Sequence, residues 1–207
     1  MTHPNPKPPR RRDPKSTRER LIRSALDLFT SKGYHETTTP QIAARAGVAE
    51  GTIYRHFASK DLLLNELYRA GVRRLLKPVV ESKGSTRDRL EAIAADWRDL
   101  ALRDASLARM VFDGRFTQLL DERSRTAWAE LGAALESLVA SGKSAGEVRA
   151  GGAGAWADFW VAVVRHVVLK VADGRWKPDD PAVRLMLDGA WRAMSAAPDA
   201  LQTPANL

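Results

Sequence analysis

The chain has 207 residues and a mass of 22.8 kDa, and its 33 lysines and arginines outnumber its 25 aspartates and glutamates for a net charge of +8. A hydrophobic fraction of 44% beside 28% charged residues is typical of a folded globular chain. The absence of cysteine excludes disulfides, thiolate nucleophiles and cysteine-ligated zinc. With neither an apolar leader nor an apolar run of roughly 18 residues, we expect a soluble cytoplasmic protein without a membrane partner.

The positive charge is concentrated in the N-terminal part of the chain. Residues 1–80 carry 16 basic and 7 acidic side chains, whereas residues 81–207 carry 17 and 18. This asymmetry predicts a polyanion-binding segment joined to an electrically neutral one. Charge alone does not separate nucleic acid from an anionic membrane, and the basic residues of the first segment could also form a solubilising tail.

Taken in chain order, the first element is a Pro- and Arg-rich arm over residues 1–15, which we expect to be disordered. Apolar residues at helical spacing then predict a helix over residues 17–32 that ends at Gly33. Hydroxyl side chains followed by a proline at residues 37–40 predict the start of a second helix, which ends at Gly47.

A third, very short helix follows, because Ile53 and Phe57 are four residues apart and give it one buried face. Its remaining side chains are polar and are left free. Ser59 predicts the cap of a longer fourth helix, and Pro78 is expected to end that helix.

Beyond residue 85 the pattern changes to long amphipathic helices. They are predicted over residues 86–103, 106–113, 116–140, 156–172 and 181–196, with a Gly/Ser-rich connection over residues 141–154. The valine-rich run at residues 161–171 could form a strand by propensity, but its length and the spacing of its aromatic residues favour a helix. The chain is therefore predicted to be all-α.

The second and third helices meet the requirements of a helix-turn-helix. A glycine at position 47 allows a left-handed turn between them, and Val48 can fill the centre of that turn. The third helix would then present polar side chains to a DNA major groove. Short helix pairs around a glycine are common, so this spacing alone does not establish DNA binding.

Residues 37–63, which read TTTPQIAARAGVAEGTIYRHFASKDLL, resemble the DNA-binding signature of the TetR family. The resemblance extends to residues 17–76. It implies an N-terminal three-helix helix-turn-helix domain joined by a fourth helix to a helical ligand-binding and dimerisation domain. We therefore expect a DNA-binding domain at residues 16–60, an effector and dimerisation domain at residues 61–200, and a disordered tail at residues 201–207.

The resemblance also implies which residues contact DNA. Tyr54, His56 and Lys60 match the family's phosphate contacts, and hydroxyls at the start of the second helix would bind a further phosphate. Side chains at the start of the third helix would face base edges, although Arg55 could also be an ordinary solvated charge. The complete predicted set is Thr38, Thr39, Glu50, Gly51, Thr52, Tyr54, Arg55, His56 and Lys60.

Two departures from the family pattern affect this prediction. Ala49 stands where relatives often have serine, so the third helix lacks an obvious cap. Glu50 is unusual beside phosphates. It would either accept a hydrogen bond from cytosine or discourage binding to wrong sequences, and the sequence does not decide between these roles.

For the second domain, the resemblance implies a homodimer formed by the last two helices and a cavity for a small effector. The predicted dimer interface consists of two apolar stripes: Trp160, Val163, Val167, Val171, Val183, Leu187, Ala190 and Met194. Large apolar side chains at helical spacing usually belong to the core, but here they also suggest a cavity for a fairly apolar or aromatic effector. The candidate effector contacts are Trp97, Met110, Phe112, Phe116, Trp128, Phe159 and His166.

The function that follows is a sequence-specific transcriptional regulator, most simply a repressor that a small molecule releases from a pseudo-palindromic operator. A non-specific basic DNA-binding protein is the first alternative. An α-helical enzyme is the second, but the four histidines are scattered and no phosphate-binding, zinc or nucleophile motif is present. We expect no cofactor, no metal and no catalytic residues.

Overall fold

The computed structural model describes residues 14–196, and every regular element within this range is a helix. This confirms the all-α prediction, including a helix rather than a strand at residues 161–171. Beyond the helices, Val148 and Ser195 form an isolated antiparallel bridge. The chain divides into two compact units, before and after the junction of Leu63 and Leu64. The predicted tail and all but the last two residues of the predicted arm lie outside the described residues.

The first unit consists of three helices and the first turn of a fourth. They are α1 (Pro14–Ser31), α2 (Thr39–Arg45), α3 (Gly51–Tyr54) and the start of α4 (Lys60–Glu81). The core contains the residues that the apolar pattern predicts, because each helix buries one narrow stripe. It includes Leu21, Ala25, Phe29, Ile42, Ala43, Ile53, Phe57 and Leu63.

The second unit contains the rest of α4 and the remaining helices. These are α5 (Thr86–Arg103), α6 (Ala105–Phe112), a 3-10 helix (Gly114–Leu119), α7 (Glu122–Ser144), α8 (Ala153–Ala172) and α9 (Pro181–Met194). Helix α8 packs against α5, α6, α7 and α9, so it is the central helix of this unit.

Three aromatic rings form the middle of the second core. The rings of Phe112 and Trp160 lie 5.4 and 5.6 Å from that of Trp97, which is fully buried. The indole N–H of Trp97 donates a 3.0 Å hydrogen bond to the carbonyl of Leu75. Because its only polar atom is paired, this tryptophan contributes packing without leaving a buried donor unsatisfied.

Several predicted helix boundaries differ from the structure by a few residues; α1, for example, begins at Pro14, within the predicted arm. Two of the differences have a clear physical cause. Helix α4 continues through Pro78 to Glu81, because a proline near the end of a helix removes only one hydrogen bond. The predicted helix over residues 116–140 is interrupted, since Asp121 accepts a 2.8 Å hydrogen bond from the amide of Ser124 and caps a new helix there. The preceding residues form the 3-10 helix.

Candidate nucleic-acid interface and ligand cavity

The turn between α2 and α3 has the geometry that the sequence predicts. The Thr38 hydroxyl accepts a hydrogen bond from the amide of Gln41, whose side chain accepts one from the Thr38 amide, so this capping box fixes the start of α2. Gly47 ends the helix with φ of +64°, a left-handed conformation that favours glycine. The next amide, that of Val48, donates back to the carbonyl of Ala43 at 3.0 Å.

Helix α3 buries one side chain fully and leaves most of the neighbouring ones exposed. Ile53 is 1% exposed, whereas Tyr54 is 54% exposed and Arg55 is also exposed. Among the other predicted contacts on this segment, Glu50 and Gly51 are exposed and Thr52 is half-buried. No side chain caps the helix, in keeping with the alanine at position 49. The short helix therefore presents a continuous polar face to solvent.

Two of the predicted phosphate contacts lie next to each other. The hydroxyl of Thr39, in the first turn of α2, lies 2.8 Å from the hydroxyl of Tyr54, the last residue of α3. Because each hydroxyl can both donate and accept, the pair retains hydrogen-bonding capacity for a third group. The fold thus brings together side chains that are 15 residues apart in the chain.

Lys60 holds a loop of its own unit together. Its ammonium donates 2.9 Å hydrogen bonds to the carbonyls of Tyr34 and Thr37 and lies 4.1 Å from the centre of the Tyr34 ring. An ammonium has three N–H donors, so one remains for a phosphate. The Tyr34 hydroxyl donates to Asp61; burial first, and this carboxylate second, raise the pKa of the phenol. The other predicted contact nearby, His56, is half-buried.

The second unit contains a cavity of about 210 Å³ between α4, α6, the 3-10 helix, α7 and α8. Two of the seven predicted effector contacts, Phe112 and Trp128, line it. The full lining is Tyr68, Val111, Phe112, Gly114, Thr117, Leu120, Arg125, Trp128 and Arg165. The cavity is therefore less purely apolar than the sequence suggests.

The other five predicted effector contacts do not line this cavity. Trp97, Met110 and Phe116 are packed inside the core, where each is at most 2% exposed. Phe159 is 39% exposed on α8, and the exposed His166 places its ring 5.5 Å from that of Trp176. Neighbouring helices determine which side of an aromatic residue is covered, and the periodicity of a single helix does not contain that information.

Sequence reasoning missed the polar residues of the cavity, above all Tyr68, Arg125 and Arg165. One signal was present. Within residues 161–169, Arg165 is the one cation among mostly apolar residues. The sequence prediction chose its neighbour, His166. A charge in such a run faces either solvent or a cavity, and only the three-dimensional arrangement distinguishes these positions.

The predicted dimer stripes also need correction. Six of the eight residues are at most 5% exposed within the single chain, so a second copy could not cover them. Val163 and Leu187 are the half-buried exceptions. The six residues that belong to the chain's own core are Trp160, Val167, Val171, Val183, Ala190 and Met194.

Neither a membrane span nor a metal site emerges from the described part of the chain. Within residues 14–196, no helix is long and apolar enough to cross a bilayer. The same residues contain no group of three or more His, Asp or Glu side chains that could hold a metal ion.

Comparison with known proteins finds relatives of the N-terminal part of the chain. Residues 21–67 match the family described as "Bacterial regulatory proteins, tetR family". The regulator TcmR of Streptomyces glaucescens is 50% identical over 52 residues, which are 25% of this chain and 23% of TcmR. The transcriptional activator FasR of Mycolicibacterium smegmatis is 32% identical over 106 residues, 48% of this chain and 47% of FasR. The chain thus matches less than half the length of either relative.

Solved structures extend the likeness to the whole fold. A TetR-family transcription regulator from Marinobacter aquaeolei VT8 has a TM-score of 0.72 at 20% identity, covering 87% of this chain and 96% of its own. AibR, solved in complex with isovaleryl coenzyme A and operator DNA, has a TM-score of 0.69 at 19% identity, covering 87% and 98%. At such identities the likeness establishes the fold and nothing more.

Proposed function

We propose that the chain, whose residues 21–67 match the tetR family of bacterial regulatory proteins, is a TetR-family, sequence-specific, DNA-binding transcriptional regulator. The observation that carries the proposal is the exposed polar face of α3. A helix that buries only Ile53 and leaves Tyr54 and Arg55 in solvent gives little packing to its own domain. Those side chains are free to contact a partner, and the positive N-terminal charge makes that partner a polyanion.

The contacts divide into two kinds. Arg55 and Thr52 read base edges, because a guanidinium can bond guanine O6 and N7 and a threonine methyl can meet a thymine methyl. Tyr54, Thr39 and the remaining N–H of Lys60 bind phosphates and set the register of the helix on the duplex. Thr38, Glu50, Gly51 and His56 complete the proposed surface.

We infer a homodimer whose two recognition helices read a pseudo-palindrome, with half-sites about one helical turn (~34 Å) apart. The apolar side chains that α8 and α9 leave uncovered support it. Phe159 is 39% exposed and Leu185 is 73% exposed, and Val163 and Leu187 are half-buried. These residues replace the buried stripes as the proposed dimer face.

We also infer control by a small molecule bound in the cavity of the second unit. AibR, of the same fold, was solved with an acyl-coenzyme A and operator DNA, which supports a ligand-responsive regulator. Helix α4 begins in the first unit, and within the second its Arg69 pairs with Asp121 at 3.1 Å, one residue beyond the cavity residue Leu120. A ligand that moves this wall would act on α4, and release of DNA makes the protein a repressor.

The test is selection of genomic DNA fragments with purified protein at physiological salt, followed by footprinting of the best fragment. A protected pseudo-palindrome is expected. Arg55→Ala should need roughly five- to hundredfold more protein for the same protection, whereas Arg45→Ala, which changes an exposed arginine of α2, should protect it like the wild type. Uniform retention of fragments without a footprint would instead support the non-specific binder. A reporter gene behind the protected sequence distinguishes repression from activation.

A further inference from the structure

We propose that the cavity in the second unit is a binding site for a small carboxylate, a monoanion with a short apolar body. As the effector site, it rests on the function proposed above; as a binding site, it stands on the cavity alone. Of the residues that line the cavity, Arg125 and Arg165 are cationic and none is acidic. A cavity of this composition favours an anionic ligand over the neutral apolar one that the sequence suggests.

Arg165 is the cation that the ligand would neutralise. In the same unit, Arg69, Arg74 and Arg109 each pair with an aspartate at 2.8–3.1 Å. Arg165 has no hydrogen bond and no ion pair among the described residues, and its side chain lies at the cavity. A guanidinium offers a planar fork of N–H donors that matches the two oxygens of a carboxylate.

The residue that faces this guanidinium is a glycine. A Cβ atom at Gly114 would lie 3.3 Å from Nη2 of Arg165, closer than a side chain is comfortably accommodated. The backbone at this position is not left-handed, so the conformation does not require glycine. A side chain here would shift the end of Arg165 by a few tenths of an ångström, and glycine leaves the guanidinium in its place at the rim of the cavity.

The second arginine is held in place and its charge is offset. Arg125 donates to the carbonyl of Leu120 and pairs with Glu122 at 3.0 Å. Arg165 therefore supplies the one cationic charge of the lining without such a partner, which matches a single carboxylate.

Tyr68 adds a neutral donor to the site. It is 5% exposed and lines the cavity, and burial raises the pKa of its phenol to about 12 although the nearby Arg165 opposes the shift. At neutral pH the hydroxyl therefore stays protonated and can donate to a carboxylate oxygen.

The size and the remaining lining determine the body of the ligand. The apolar part of the lining comes from Val111, Phe112, Leu120 and Trp128. The volume of about 210 Å³ is below the roughly 300–1,000 Å³ of sites for drug-sized ligands. A short alkyl chain or a single aromatic ring fits this space, whereas a long acyl chain does not.

The test is calorimetric titration of the full-length protein near neutral pH with linear acids from propionate to octanoate, with benzoate and phenylacetate, and with the amide of each acid. At least one acid should bind more tightly than its amide. Arg165→Gln should weaken that acid by about tenfold to hundredfold, since hydrogen bonds to charged groups are the strong ones. Arg165→Lys keeps the charge but loses the planar fork, so its affinity should lie between those of the wild type and Arg165→Gln. Arg123→Gln changes an exposed arginine of α7 outside the lining and should bind like the wild type.

The proposal is overturned if no acid binds, if acids and amides bind alike, or if Arg165→Gln leaves the affinity unchanged. A thermal melt of each variant without ligand shows that it is folded. Footprinting of the same preparations separates the two proposals. An intact footprint without carboxylate binding removes only the carboxylate site, and carboxylate binding without a footprint removes only the proposed regulator.

Discussion

The two units of the molecule use their side chains in different ways. In the first unit, α1 supplies much of the core, while the short helices α2 and α3 bury only a few apolar residues and carry most of the polar groups proposed to bind DNA. In the second unit, long helices surround the buried rings of Trp97, Phe112 and Trp160, and polar groups gather around a cavity at the edge of that core. One unit has its candidate site on the surface of a short helix, and the other has it in a cavity that is partly open to solvent.

This difference determines how each site is specified by the chain. The residues proposed to face DNA lie within one continuous segment, and a short run of residues defines their arrangement. The cavity residues come from five segments between Tyr68 and Arg165, and their arrangement depends on how those segments pack. Substitutions on the helix surface of the first unit and in the packed core of the second unit therefore test this comparison most directly.

The largest effect is expected for Trp160→Ala in the second core. The side chain is 3% exposed and packs on Trp97, so its removal should lower the free energy of unfolding by about 3–5 kcal/mol. Urea denaturation monitored by circular dichroism measures this loss of unfolding free energy. Trp176→Ala, a half-buried tryptophan after α8, is the matched control and should cost about 1 kcal/mol. Equal effects of the two substitutions would show that Trp160 is not part of the core.

The next effect concerns the neighbouring position, Phe159, whose side chain faces solvent in the single chain. Phe159→Asp should leave the fold intact but weaken dimerisation by more than about 2 kcal/mol, roughly thirtyfold, because a charge would be placed in an apolar interface. Sedimentation equilibrium measures this change. Val80→Asp alters another exposed apolar residue, 70% exposed on α4, and should remain dimeric. A Phe159→Asp protein that is as dimeric as the wild type would exclude this face.

A smaller, more specific effect is expected on the surface of the first unit. Arg55→Ala should cost about 1–3 kcal/mol of operator binding and relax the preference at one base pair. Fluorescence anisotropy with a set of single-base operator variants measures both quantities. Weakening by the same factor on every DNA sequence would show that Arg55 contacts the backbone and reads no base.

Much of the first unit could be predicted from the sequence because its signals are local. Gly47 allows a left-handed turn, Thr38 and Gln41 form their capping box within four residues, and Ile53 is flanked by polar residues. None of these depends on a distant segment. The hydrogen bond between Thr39 and Tyr54 and the carbonyl contacts of Lys60 were not predictable, since they depend on the angle between helices.

The second unit shows why helical periodicity alone does not predict which apolar residues form a dimer interface. Trp160 and Val167 do form an apolar stripe, but the spacing does not say whether this chain or a second copy covers it. Helix α8 is packed by four other helices, so the stripe is internal. In the same way, Asp121 ends a predicted helix because its side chain caps the next one, a competition that composition does not reveal.

The last prediction concerns Lys60, a side chain that both stabilises its own unit and is proposed to bind a phosphate. Lys60→Met keeps the apolar stem but loses the hydrogen bonds to Tyr34 and Thr37, so unfolding of the first unit should become easier by about 1–3 kcal/mol. If the third N–H binds a phosphate, the slope of log affinity against log salt should also flatten by about one unit on every DNA sequence. Binding isotherms at several salt concentrations, beside urea denaturation of the same variant, separate the two roles. A lower stability with an unchanged slope would make Lys60 a purely structural residue, and the phosphate contacts would then be Thr39 and Tyr54 without it.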